Sequence, residues 1–229
     1  MKPTVTQGII LSRVSYQEAD RILTILSSDE GKLRVIAKGV RKERSKLAGG
    51  VELFSINELS FLRGRGEVGT LVSSRLVKYF EDIVKDVDRT MYGYDFLKLI
   101  NKVTEDNSGR EYFDLTWQVL QALNHPEISL PIVKLWADSR LLAAAGYSPN
   151  LQTDTNDNKL VAENRYDFEI AEMAFVSRLD GLYSSSHIKL LRLALTQEPR
   201  KLSFLEGLDR YETACQQLMS TIRKSVMHS

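Results

Sequence analysis

Residues 31–46, GKLRVIAKGVRKERSK, decide the fold of the first third of the chain. Apolar residues alternate with basic or polar ones up to Lys38, which predicts a β-strand over 32–38 with one buried face. A basic run follows at once and contains a single acid, Glu43. Such a run is either a solvated surface or a patch that binds nucleic acid. The seven cations of the stretch are Lys32, Arg34, Lys38, Arg41, Lys42, Arg44 and Lys46.

Four further strands are predicted in the first 80 residues. Runs of alternating or β-branched residues place them near 5–11, 21–27, 51–63 and 68–78. The apolar positions of the fourth strand change phase midway, which indicates a bulge or a strand that bends between two faces. The turn at 29–31, Asp-Glu-Gly, is typical of a tight hairpin that needs a positive φ. Five short strands with one long connection after the third favour a small closed barrel of the oligonucleotide-binding (OB) type.

Beyond residue 80 the apolar spacing becomes helical. Ser108 with Glu111, and Ser203 with Glu206, are typical of capping boxes that open helices, whereas the polar residues 148–165 predict a loop. The fold class is therefore α+β with two domains, an OB-fold barrel over 1–80 and an all-α helical domain over 81–229. Its helices are predicted near 86–105, 108–124, 129–146, 168–178, 186–197 and 204–227.

Charge is distributed unevenly between the two predicted domains. Residues 1–80 contain fourteen Lys and Arg against eight Asp and Glu, whereas residues 81–229 contain seventeen against twenty-two. The net charge of +1 for the whole chain therefore hides a basic barrel and an acidic helical part. A basic half is expected to meet an anionic partner.

Composition also limits the location and the chemistry of the protein. No segment reaches the roughly 18 consecutive apolar residues of a membrane span, and the N-terminus lacks the apolar core of a signal peptide. We therefore expect a cytoplasmic protein that does not contact membranes. The single cysteine, Cys215, excludes an intramolecular disulfide and a multi-cysteine zinc site.

The motifs predict no catalytic or cofactor site. Residues 64–69, GRGEVG, match G-x-G-x-x-G, but a strand is expected to follow them, so a glycine-rich hairpin is preferred to a dinucleotide site. His125, His187 and His228 are far apart and lack the spacing of metal ligands. Neither a P-loop nor H-E-x-x-H occurs. We expect a non-enzymatic protein without a cofactor, a metal or a small-molecule substrate.

Several segments, in the same order along the chain, resemble one bacterial family. The resemblance is dense over residues 8–70 and sparser through the helical part. On this basis the chain is identified as a member of the RecO family of recombination mediators. The matching segments are Gly8–Leu11, Tyr16–Ile22, Gly31–Leu33, Ala37–Lys42, Ser45–Gly49, Glu52–Phe54, Arg63–Glu67 and Leu141–Pro149.

The resemblance implies a function without catalysis. Members of this family bind single- and double-stranded DNA, anneal complementary strands and help to load recombinase onto strands covered by single-strand-binding protein. The implied partners are DNA, RecR and the C-terminal tail of the single-strand-binding protein, and the implied location is the nucleoid in the cytoplasm. Cations beside apolar helical positions that could receive this acidic tail are Lys134, Arg140, Lys189 and Arg192.

Basic residues of the barrel are predicted to contact DNA, since Lys and Arg bind phosphates with release of counterions and need no exact geometry. The expected binding is therefore tolerant of sequence. Six of these residues belong to the basic run and two to the glycine-rich hairpin: Arg34, Lys38, Arg41, Lys42, Arg44, Lys46, Arg63 and Arg65.

The sequence departs from the family pattern in one respect. Many members carry a four-cysteine zinc site after the segment that matches 146–149. Here Asp154 and Asp157 stand where the first cysteine pair would align, and a structural zinc site favours thiolate and imidazole over carboxylates at that spacing. We therefore expect a member without zinc.

Two other functions remain open at this point. The basic barrel could bind an acidic protein, which would make the chain a non-catalytic interaction adaptor. A nuclease or nucleotidyl transferase would need clustered carboxylates to hold magnesium, and the sequence shows no such cluster. Competition with excess oligonucleotide separates an adaptor from a DNA-binding protein.

Overall fold

The computed structural model of the protein divides into two units, Met1–His125 and Pro126–Ser229, and each is described by itself. The barrel shares the first unit with the two helices that follow it. The division of the sequence into domains at residue 80 stays a prediction. The structure describes residues 2–64, 66, 68–105 and 109–227.

Five strands of the first unit close into a barrel in the order β1-β2-β3-β5-β4. Neighbouring strands are antiparallel except for β3 and β5, which run parallel. Alternate apolar side chains point inward, among them Ile10, Val35 and Leu71, and together form one core. The predicted barrel is thereby confirmed. Its strands are β1 (Thr4–Tyr16), β2 (Asp20–Ser27), β3 (Lys32–Ala37), β4 (Ser55–Leu62) and β5 (Val68–Tyr79).

One turn of the barrel follows its sequence signal, whereas the bulges lie in β5 and not in β4. Gly31 has a φ of 67° in the turn between β2 and β3, as the hairpin pattern predicts. The pairing of β4 with β5 shifts between Ile56 and Asn57 and again between Ser60 and Phe61. In both shifts the extra residue, Val77 or Val72, belongs to β5, so the bulges lie in β5 and β4 itself contains no insertion. The apolar phase of β4 changes because Leu59 and Phe61 face the barrel core, whereas Ile56 is buried outside that core.

Two helices complete the first unit, α1 (Val87–Val103) and α2 (Arg110–Leu123). The carboxylate of Asp86 caps α1 by accepting a hydrogen bond from the backbone N–H of Arg89 at 3.0 Å. A β-carbon at Gly93 would lie 2.7 Å from the ring of Phe54, so glycine lets α1 approach this ring. The predicted capping serine of α2, Ser108, lies outside the described residues.

The second unit begins with helix α3 (Leu130–Ala144). Its start agrees with the prediction, because Ser129 caps it and proline occupies its first turn. Asp138 of α3 forms an ion pair with Arg223 at 2.8 Å and is buried. Burial raises the pKa of Asp138 to about 6, although the charge of Arg223 acts in the opposite direction.

A three-stranded sheet of order β6-β8-β7 follows α3. The strands are β6 (Asn150–Asp154), β7 (Tyr166–Glu169) and β8 (Ala174–Ser177). The helix predicted at 168–178 is therefore wrong, and β6 occupies part of the predicted loop at 148–165. The all-α description of this part misses the sheet, although the helices predominate.

Aromatic packing explains why this sheet replaces a helix. The ring of Phe175 is fully buried and lies edge-on to those of Tyr166, Phe168 and Tyr183. Helix-forming residues are concentrated in and beside the turn between β7 and β8, where Met173 has a φ of 51°. Tertiary packing thus overrides the helical propensity of the segment.

Three helices end the chain: α4 (Ser185–Thr196), α5 (Pro199–Leu202) and α6 (Glu212–Met227). The helix predicted from residue 204 begins at Glu212 instead. The hydroxyl of Ser203 donates to the carbonyl of Arg200 at 2.7 Å, so it closes the end of α5 and does not open a new helix.

The capping box of α4 uses histidine where glutamate or glutamine is usual. The backbone N–H of Ser184 donates to Nδ1 of His187 at 3.1 Å, and the imidazole lies edge-on to Tyr183 and Tyr211. Burial, and then the charge of Arg165, lowers the pKa of His187. The cap therefore needs the neutral imidazole, because a protonated Nδ1 has no lone pair to accept this hydrogen bond.

This cap predicts a loss of stability in mild acid. A histidine whose pKa is lowered on folding stabilises the protein above its unfolded pKa, and this contribution is lost as the pH falls below that value. Protonation of His187 should lower the unfolding free energy by about 1 kcal/mol between about pH 7 and about pH 5. The variant His187→Gln keeps an acceptor that does not titrate, so it should lack this contribution. Urea titrations at both pH values measure the effect.

The exposed His125 provides the matched control, His125→Gln, which should keep the pH dependence of the unmodified protein. Asp138 acts with the opposite sign, since its raised pKa makes the folded state more stable as the pH falls. Comparing the two variants isolates His187. An equal pH response in both would contradict the assigned role of the imidazole.

Candidate nucleic-acid interface

The basic connection, defined as residues 38–46, begins at a fixed position on the barrel. Gly39 has a φ of 64°, and its N–H donates to Oδ1 of Asp20 at 2.7 Å. The N–H of Arg41 donates to the carbonyl of Ala19 at 2.9 Å. Between them, Val40 is buried in the barrel core. Asp20 thus holds the connection against the β1–β2 turn.

The cations of this connection point into solvent. Among the residues that the structure describes, none of their side chains forms an ion pair with Asp or Glu. An anionic partner could therefore approach them without displacing an acid of the fold. The exposed cations are Lys38, Arg41, Lys42, Arg44 and Lys46.

The hairpin cations have a different environment. Arg63 forms an ion pair with Glu30, and its guanidinium lies 6.0 Å from the centre of the Phe61 ring. Arg63 is therefore partly neutralised, although it remains more than half exposed. Arg65, which was predicted to contact DNA with it, lies outside the described residues.

Lys32 has a structural role. Its ammonium donates to the backbone carbonyls of Asn101, at 3.0 Å, and of Thr104. These carbonyls lie at the end of α1, where the last turn of a helix has no intrahelical donors and favours a cation. The first cation of the quoted stretch thus caps a helix.

The remaining cations form two groups along β3. Arg34 and Lys38 alternate with the inward-facing Val35 and Ala37, so both lie on the outer side of the barrel. Four residues of a strand separate them, a distance of about 13 Å. Arg34 shares its end of the strand with Arg63, whereas Lys38 begins the basic connection.

An apolar row crosses the outer face between these two groups. Val14 pairs with Ile22, Ile22 with Ile36, and Ile36 with Thr70, so the four residues are direct neighbours on four strands. Val14 is 61% exposed, and the two isoleucines are half-buried. This row could not be predicted from the sequence, because it depends on the register of four strands.

The aromatic residues of the barrel divide into core and surface. Phe54, Phe61 and Phe80 are buried. Tyr16, at the end of β1, and Tyr79, at the end of β5, are each about two-fifths exposed. Tyr16 lies one position beyond the pair of Val14 and Ile22 on the same face, where a nucleic-acid base could stack on it.

Comparison with known proteins assigns both parts of the chain to one family. Residues 1–80 match the family model described as Recombination protein O N terminal. Residues 84–213, more than half of the chain, match Recombination protein O C terminal. The chain belongs to the RecO family. It is thus a DNA repair and recombination protein of a non-catalytic family.

Individual RecO relatives are distant in sequence. DNA repair protein RecO of Listeria innocua is 27% identical over 82% of this chain and 75% of its own length. The protein of the same name from Acetivibrio thermocellus is 31% identical over 70% of this chain and 64% of its own length. For Listeria welshimeri the match is 30% over 63% of this chain and 56% of its own. The matched region thus spans between half and three quarters of these relatives.

Membership in the RecO family agrees with the environments of the candidate reactive groups. Burial raises the pKa of the Cys215 thiol to about 12, so this cysteine is not a nucleophile. The described residues contain no group of three His, Cys, Asp or Glu side chains that could hold a metal ion. Oδ1 of Asp154 accepts the backbone N–H groups of Asn156 and Asn158, each at 2.9 Å, and so organises its own loop.

The second unit of this RecO chain uses two of its predicted cations internally. Arg140 donates to the carbonyl of Leu195, and Arg192 donates to the carbonyl of Leu151. Both tie segments of the unit together, so they are poor candidates for binding an acidic peptide tail. Of the described helices, none is long and apolar enough to cross a membrane.

The distinction between structural and exposed cations can be tested with one pair of variants. Lys32→Met should lower the free energy of unfolding by about 1–2 kcal/mol, because two carbonyls at the end of α1 lose a charged donor. Lys38→Met should change it by less than about 0.5 kcal/mol, since this side chain is exposed. Urea unfolding measures both values, and equal destabilisation would contradict the capping role of Lys32.

Proposed function

We propose that the protein binds single- and double-stranded DNA through the barrel, anneals complementary strands and helps to load recombinase onto strands covered by single-strand-binding protein. One observation carries this proposal. Five exposed cations stand on a connection whose start is held against the barrel, and none is neutralised by a described acid. Membership in the RecO family supports the link to DNA.

The proposed binding uses two kinds of contact. The cations of the basic connection contact phosphates, which releases counterions and does not depend on base sequence. The row of Val14, Ile22 and Ile36, with Tyr16 beside it, offers unpaired bases an apolar surface. Duplex DNA would use the phosphate contacts alone, because its bases are stacked inside the helix.

Annealing follows from the same charge. Two DNA strands repel each other, and a basic surface that binds both reduces this repulsion and raises their local concentration. No group has to give or take a proton. We therefore place the activity on the nucleoid in the cytoplasm, as a non-catalytic step of recombination.

The proposed protein partners are RecR and the acidic C-terminal tail of single-strand-binding protein. For the tail, the second unit offers exposed apolar residues next to cations. Phe204 is 73% exposed and Leu205 is 41% exposed, and Arg200 and Lys201 of α5 precede Phe204 by four and three residues. Apolar contacts edged by positive charge are the chemistry that such a tail needs.

Charge reversal tests the DNA site. A variant with Arg41, Lys42, Arg44 and Lys46 changed to Glu should lose binding to a fluorescent single-stranded oligonucleotide. Arg/Lys→Gln substitutions at the same positions remove the charges without reversing them. In that variant the plot of log K against log salt should become less steep by about three, at roughly 0.7 per phosphate contact. Fluorescence anisotropy across a salt series measures both effects.

The matched control carries the same change of charge on the second unit, with Glu at four exposed positions: Lys159, Arg178, Arg200 and Lys201. It should bind DNA far better than the first variant. Equal loss in the two variants would show that net charge, rather than this surface, governs binding. An acidic protein that stays bound in excess oligonucleotide would favour an adaptor instead.

Annealing is measured with two complementary oligonucleotides in the same salt series, with and without single-strand-binding protein. We expect the protein to accelerate annealing at low salt and to lose this effect as salt screens the phosphate contacts. With coated strands, the effect should also need Phe204, so Phe204→Ser should slow annealing only there. Normal annealing by the charge-reversed variant would contradict the proposed function.

A further inference from the structure

A pocket of about 720 Å³ opens at the mouth of the barrel, at the opposite end of β3 from the basic connection. The β2–β3 turn, the β4–β5 hairpin and the start of α2 line it, with Glu30, Gly64 and Arg110 as examples. Mouths of β-barrels are common places for small ligands. The proposed function makes no use of this pocket as a cavity.

One part of the pocket wall is apolar. Leu33, Val35 and Phe61, which belong to the barrel core or pack against it, reach the pocket from inside. Gly69 lies beside them, and a β-carbon there would be 2.8 Å from the carbonyl of Leu62. Glycine therefore permits the close approach of β5 to β4 at this position, beside the rings and methyl groups of the apolar wall.

The edge of the pocket is charged. Lys32, Arg34, Arg63 and Arg110 line it together with Asp29 and Glu30. Arg63 is paired with Glu30, and Arg110 lies 4.0 Å from Asp29. Both pairs are exposed enough to water to be weak, so a phosphate could replace the carboxylates. Arg34 has no acidic partner among the described residues, so its guanidinium N–H groups can donate directly to a phosphate.

We propose that this pocket takes a single nucleoside 5′-phosphate unit, with the base against the apolar wall and the phosphate at Arg34 and Arg63. A bare anion would not need the apolar wall, and an apolar ligand would not need the cations. Gly64, Gly66 and Gly69, the glycines of the G-x-G-x-x-G match, all line the pocket. These glycines line the open barrel mouth and do not form a dinucleotide-binding turn.

The unit could be a free nucleotide or one unstacked nucleotide of a DNA strand, since both present the same chemistry. The strand-borne form rests on the proposed function, because it requires that the barrel bind DNA. Arg34 lies both in this pocket and on the outer face that carries the apolar row, so a strand on that face could place one nucleotide in the pocket.

Three probes test the pocket: thymidine 5′-monophosphate, thymidine and inorganic phosphate, each titrated into the full chain by ligand-observed NMR. We expect saturable binding of the monophosphate. Thymidine and inorganic phosphate should each bind at least about tenfold more weakly, because each makes only part of the contacts. Equal affinity for inorganic phosphate, or no saturable binding of the monophosphate, would overturn the proposal.

Two pairs of variants locate the binding. Gly66→Trp should block the pocket, because a β-carbon at Gly66 has no heavy atom within 4 Å and the new ring can occupy the space. Gly49→Trp is the control, with equally open surroundings outside the pocket. Arg34→Ala should weaken the monophosphate about tenfold, whereas Arg75→Ala, at a residue paired with Glu58, should not. Unchanged binding in Gly66→Trp would contradict the location.

Competition identifies the source of the nucleotide. A single-stranded oligonucleotide that displaces the monophosphate supports the strand-borne form, and one that binds without displacing it supports a free nucleotide. Anisotropy with the same oligonucleotide reports on the proposed function separately. DNA binding without monophosphate binding would overturn only the pocket, and monophosphate binding without DNA binding would overturn only the proposed function.

Discussion

The buried side chain of Val40 and the two backbone hydrogen bonds beside it fix the start of the basic connection. Gly39 donates to the carboxylate of Asp20, and Arg41 donates to the carbonyl of Ala19. A long connection between two barrel strands would otherwise lose much of its charge density to conformational freedom. Because its start is held against the β1–β2 turn, the cations are presented beside the outer face of β1, β2 and β3.

The barrel could be predicted because its signals are local. Alternation sets each strand, and Gly31 sets one turn. The small sheet could not be predicted in this way, since its strands are four or five residues long and depend on rings that meet only after folding. The cap of α4 was missed for a simpler reason, because His187 replaces the glutamate or glutamine that such a box usually contains.

For the candidate site, the sequence identifies the cations but not their environments. Lys32 and Lys38 look equivalent in the sequence, yet one caps α1 and the other is exposed. Arg63 is partly neutralised by Glu30, which lies far away along the chain. The apolar row from Val14 to Ile36 depends on strand register, and no property of one strand alone reveals it.

The distribution of ion pairs separates the basic connection from the rest of the barrel. Several arginines elsewhere in the barrel pair with acids, as Arg13 with Glu52 and Arg75 with Glu58, although Arg34 pairs with none that the structure describes. On the connection, Glu43 is the one acid among five exposed cations, and the structure places it in no ion pair with a described residue. Like charges held this close repel one another and destabilise the isolated protein. The repulsion disappears when phosphates bind, so the same arrangement that costs stability in the unbound chain favours a polyanion as its partner.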